Sequence, residues 1–116
     1  MKVVNLAEKL ALFDMHWNPK VVADDNGDDI MAVTFQGEFT FHDRPDTGDF
    51  FPVMEREALL DVEEAIHVPR PGESFVVQKG VRHRPHAAQE AKVPLIEPGG
   101  ARNTGDPAMA AKKGRI

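Results

Sequence analysis

The chain has 116 residues, enough for one domain with its own core and too few for two. A composition that is 41% hydrophobic and 28% charged excludes a disordered or collagen-like chain, and a net charge of −5 lacks the basic footprint that nucleic-acid binding requires. The absence of cysteine excludes disulfides, thiolate metal sites, iron–sulfur clusters and cysteine nucleophiles, so any metal must rest on nitrogen and oxygen ligands.

At the N-terminal end, Asn5 followed three residues later by Glu8 is a helix-start signal, because the two side chains can satisfy backbone donors left unpaired in the first turn. Leu6, Leu10 and Phe13 fall on one face, which predicts a helix over 5–14 ending before Pro19. From Val21 onward the helical period gives way to short apolar runs between turn signals, the pattern of an all-β domain. The first runs, 20–23 and 30–35, flank Asn26-Gly27, which supplies the two positive-φ residues of a tight hairpin. The aspartates around that turn do not have the spacing of a calcium loop and read as a solvated tip.

Along 32–42, Val33, Phe35, Phe39 and Phe41 alternate with small or polar residues, so one face is expected in the core and the other not, with Gly37 as a bend or bulge. Further strands are predicted at 38–42, 50–56, 58–62, 65–68, 74–77, 83–88 and 92–97, about nine in all. Pro71-Gly72 and Lys79-Gly80 supply turns. With no long helix between strands, the sheet must be antiparallel and close into a sandwich or barrel. Residues 1–98 are read as the single domain, and 99–116, rich in Gly and Pro, as an extended or fraying tail. No apolar stretch approaches the roughly 20 residues of a membrane span, and a cytoplasmic location with no membrane partner is expected.

Of five histidines, His42 and His83 stand at predicted strand ends beside Gly or Pro turns, whereas His16, His67 and His86 do not. A neutral imidazole nitrogen is a good metal donor, and residues two apart on a strand share a face, which puts Arg44 beside His42. Two stretches carry a resemblance. The first runs Gly37, four residues, His42-Asp43-Arg44, four residues, Asp49; the second runs Pro71-Gly72-Glu73-Ser74-Phe75-Val76-Val77-Gln78-Lys79-Gly80-Val81-Arg82-His83. Together they resemble the two motifs of the cupin superfamily, in particular the small one-domain, mannose-6-phosphate-isomerase-like cupins, over nearly the whole chain. His16-Trp17 and Asn103-Thr104-Gly105-Asp106 match further segments of that group.

The resemblance implies a double-sheet jelly-roll β-barrel preceded by a short helix, a homodimer, and four metal ligands, of which His42 and His83 are present unchanged. Arg44 stands where the family has a second His, Asp49 where it has Glu, Arg56 where it has a later Gly, and Gln78 where it has Pro. Arginine offers no lone pair and cannot be a ligand. Three readings follow. His42, Asp49 and His83 hold one divalent metal (Fe, Mn, Ni or Zn) beside an Arg44 that binds a small anionic or carbohydrate-like molecule, with Asp43 or Asp46 as alternative carboxylates. Alternatively, Arg44 fills the metal position, pairs with Asp49 and makes a metal-free binding barrel. Finally, the histidines are ordinary strand-end residues of a scaffold. No nucleotide or organic cofactor is expected, and an enzyme of this kind would be a metal-dependent oxygenase, isomerase or epimerase.

Overall fold

A computed structural model describes residues 2–63, 65–99 and 114–116. It contains one helix, α1 (Leu6–Leu10), and eight strands: β1 (Lys20–Asp25), β2 (Asp28–Glu38), β3 (Asp49–Pro52), β4 (Leu59–Val62), β5 (Ala65–His67), β6 (Ser74–Val77), β7 (His83–Pro98) and β8 (Gly114–Arg115). Asn5 caps α1 as its side chain accepts from the Glu8 backbone N–H at 3.0 Å. The helix is one turn long rather than the ten residues expected over 5–14. It stops once Leu10 is buried, with Ala11 as its C-terminal cap.

The strands run in the order β5-β4-β7-β2-β1-β8, with β3 pairing with both β6 and β7. Asn26 (φ 54°) and Gly27 (φ 82°) make the β1–β2 hairpin turn, and Gly37 (φ 81°) sits at the register shift where β2 leaves its regular pairing with β7. The predicted strands at 83–88 and 92–97 are one continuous strand. The predicted strand at 38–42 is absent as such: Glu38 ends β2, and His42 joins β7 only through an isolated bridge to His83. Every strand pair is antiparallel except β1–β8, where Lys20 and Val21 pair in parallel with Gly114 and Arg115. The end of the predicted tail is thus tied to the sheet. Asn103–Asp106 lies outside the described residues.

Met31, Ala32, Val33, Thr34 and Phe35 are all buried, so β2 is covered on both faces here, where alternation predicted one. The sequence period could not show this, because the second cover comes from α1 packing on β2. Beyond Phe35 the strand turns exposed. The inner face, with Met31, Phe35, Leu60 and Val93 at its centre, forms one continuous apolar core.

A candidate metal centre in the barrel

His83 is the first residue of β7 and Glu97 its last but one. Fully extended, the strand would place them about 45 Å apart. Barrel curvature instead brings both onto one group of buried side chains. His42 and His83 exchange backbone hydrogen bonds (3.0 and 2.8 Å), which sets their rings 4.3 Å apart between centroids. Asp49 opens β3, paired opposite Val77, and points inward at 2% exposure.

The Nδ1 atom of His42 lies 2.9 Å from the Thr40 carbonyl oxygen, and that of His83 2.9 Å from the Val81 carbonyl oxygen. A carbonyl oxygen only accepts, so each Nδ1 carries the proton and each Nε2 is left as the free donor atom. One such Nε2, that of His83, faces Asp49 Oδ2 at 3.2 Å. Two lone pairs do not face each other at this distance unless a proton or a cation lies with them. Donor atoms of His42, Asp49 and His83 all lie within 4.8 Å of one another, and this set can hold a metal ion. Asp43 and Asp46, the alternative carboxylates, are exposed.

Arg44 is buried beside this group and its Nη1 lies 2.8 Å from Asp49 Oδ1. The same Nη1 donates to Oε1 of Glu97, which is 1% exposed. Arg44 thus meets both buried carboxyl groups through one nitrogen. Glu97 was not anticipated from sequence. It belongs to neither motif, and the available signal was a lone acidic residue closing the apolar run 93–96. Arg44 is engaged by Asp49 and Glu97, and Asp49 keeps Oδ2 turned to His83.

Burial lowers the His42 imidazole below its ordinary value, reinforced by His83 and Arg44 and opposed by the Thr40 carbonyl and Asp49. Burial acts to raise the Asp49 carboxyl. Side-chain contacts with His83 and Glu97, together with the Arg44 charge, outweigh it and hold the group below the usual carboxylate value. A neutral imidazole beside an ionised carboxylate is the protonation state that ligation needs.

A cavity of about 40 Å³ opens on this group. His42, Arg44 and Asp49 line its polar end, while Trp17, Pro19, Val33, Phe35, Phe39, Phe51, Pro85 and Leu95 form the remaining wall. Trp17 stacks on Phe35 and Phe39 at 4.7 and 4.9 Å between centroids. The other histidines lie elsewhere: His16 pairs with Glu90, His86 with Asp61, and His67 stacks on Phe75.

This barrel is found in solved proteins. A cupin-2 domain protein from Shewanella frigidimarina is 38% identical, with a TM-score of 0.81 over 83% of this chain and 94% of that one. Protein NMB1881 from Neisseria meningitidis is 25% identical, with a TM-score of 0.77 over 84% of this chain and all of that one. The chain therefore belongs to the cupin superfamily. No family model matches the sequence. The uncharacterized protein YdbB of Bacillus subtilis is 32% identical over 56 residues, 47% of this chain, and the match spans half the length of that curated relative.

Proposed function

We propose that this cupin binds one divalent metal through His42 Nε2, Asp49 Oδ2 and His83 Nε2, and takes a small molecule into the adjoining cavity. The observation that carries the reading is the pair of Nδ1–H groups held by Thr40 and Val81, which commits both imidazoles to present Nε2. Arg44 clamps Asp49 through Oδ1, so the carboxylate is fixed as a one-oxygen ligand. A metal bound there would supply Lewis-acid or redox chemistry. The protein's own residues orient the ligand, exclude water from the apolar wall and keep His42 neutral. The identity of the metal would narrow that chemistry to redox or hydrolytic. A homodimer and a cytoplasmic location are part of the same proposal. Light scattering on the eluted protein tests the first. Among the described residues no helix is long and apolar enough to cross a membrane.

The test is metal content by plasma mass spectrometry on untagged protein purified without chelator or nickel resin. Near-stoichiometric metal in the wild type that is lost in His83→Ala supports the site; equal metal in both removes it. A specific observation favours a second reading, in which Arg44 itself occupies the centre: its contact with Asp49 is already made. Protein that stays empty after incubation with Fe(II), Mn(II), Ni(II) and Zn(II) establishes that reading instead.

A further inference from the structure

The outer face of the sheet carries an apolar row that stays open to solvent. Side chains alternate across a strand, so the residue beside an inward-pointing one points out. Val77, Phe51, Leu95 and Met31 belong to the core, which turns Val76, Phe50, Ile96 and Ile30 outward. Register sets these four in one line, since Val76 pairs with Phe50, Phe50 with Ile96, and Ile96 with Ile30. Ala23 extends the line by pairing with Ile30. The row thus crosses β6, β3, β7, β2 and β1 without a polar side chain. Val76 is 52% and Ile96 41% exposed, and the other three are half-buried. An outward row of an antiparallel sheet ordinarily carries polar side chains.

The rows on either side differ in charge. Toward the β1–β2 turn stand Asp25 and Asp28, paired with each other, with Pro98 opposite Asp28. In the other direction along β7 the next outward residues are Pro94 and then Lys92, and Lys20 stands at that same end of β1, opposite Ala32. Read along the strands, the face is acidic, apolar, apolar and basic, in rows about 7 Å apart. That order is complementary to itself when one copy is turned end over end. A two-fold axis between the rows of Ile96 and Pro94 lays apolar row on apolar row and sets Asp28 of each copy toward Lys92 of the other. Turning the copy the other way, with strands parallel, would set Asp28 against Asp28. Each chain carries a net charge of −5, so two copies repel wherever carboxylates meet, and the two apolar rows hold none.

The size is sufficient. Ala32 and Thr34 are buried where α1 packs on β2, which leaves an open face of roughly 400 Å² in projection. Side chains standing up from the sheet raise its accessible area toward the about 600 Å² per partner at which stable interfaces begin.

We propose that this outer face, centred on Ile96 and Phe50, is where two copies of the chain pack sheet against sheet with their strands antiparallel. This assigns a face and an orientation to the homodimer proposed above and rests on that part of the reading. It requires neither metal nor ligand.

The test is sedimentation velocity on the full chain over a wide concentration range. Wild type is expected to be a dimer, and Ile96→Lys to weaken association at least tenfold. Val76→Lys, at a more exposed position, should do the same and takes its place if Ile96→Lys does not fold. Ile66→Lys alters an exposed apolar residue on β5, outside this face, and should change nothing. Orientation is read by exchanging charges. Asp28→Lys and Lys92→Asp should each weaken the dimer, while the double variant should recover most of the loss. A wild-type dimer that Ile96→Lys and Val76→Lys leave intact overturns the face and spares the homodimer. A double variant weaker than either single one overturns the antiparallel orientation. Wild type that stays monomeric throughout overturns both this proposal and the homodimer, and a lower melting temperature of monomeric Ile96→Lys would then show the face to be covered from within its own chain.

Discussion

Arg44 and Glu97 act together, and their consequences are testable one side chain at a time. Glu97 contacts both Arg44 and the candidate ligand Asp49. Glu97→Gln should therefore weaken divalent-metal binding by roughly 10- to 100-fold, the range typical of lost outer-shell partners. Combining it with Arg44→Gln should recover most of the loss, because the uncompensated charge goes as well. Isothermal titration of the two variants checks this, and a double variant weaker than the single one would mean that Glu97 serves only to pack. A second prediction concerns Asp61 on β4. Hydrogen bonds from Arg84 (2.7 and 3.1 Å) are the main cause holding its carboxyl below the ordinary 3.8, with His86 adding to them. Since the folded group titrates below the unfolded one, the unfolded chain takes up its proton first as pH falls. The stabilisation is complete above about pH 4 and fades below it. Asp61→Asn should cost about 1 kcal/mol at neutral pH, and melting curves of variant and wild type should converge toward acid.

At the scale of elements, the site depends on where β3 begins. A Cβ at Gly48 would meet the Val77 carbonyl oxygen at 2.7 Å, a backbone atom that cannot step aside. Gly48→Ala should push Asp49 out of its register with Val77 and cost about 1–3 kcal/mol. Metal affinity should fall with stability, read by titration alongside denaturant melts. An unchanged affinity in a destabilised variant would show that Asp49 is not positioned by β3. The turns and most strands were legible, because Asn26-Gly27, Gly72 and Gly80 each need a positive φ that few residues adopt at low cost. The joining of two predicted strands into β7 was not. Ala88, Gln89 and Glu90 are exposed and look like a loop in sequence, yet the strand runs on through them.

For the whole molecule, a ligand that binds only the folded barrel raises its stability by mass action. Divalent metal at about one hundred times its dissociation constant should add about 2.7 kcal/mol, seen as an upward shift in melting temperature. His83→Ala should show no shift; an equal shift in both proteins would place the metal at another site. The sequence by itself determined the all-β class and the turn positions, since each follows from local backbone preference, while the grouping of His42, Asp49 and His83 in one candidate centre came as an expectation from the resemblance to the cupin motifs. Only the tertiary structure decided what surrounds that centre. Glu97 lies 48 residues from Asp49 and reaches Arg44 through the curvature of β7, and Trp17 joins Phe35 and Phe39 only when the N-terminal segment folds back over β2. Contacts of that kind are set by barrel closure, which no run of neighbouring residues encodes.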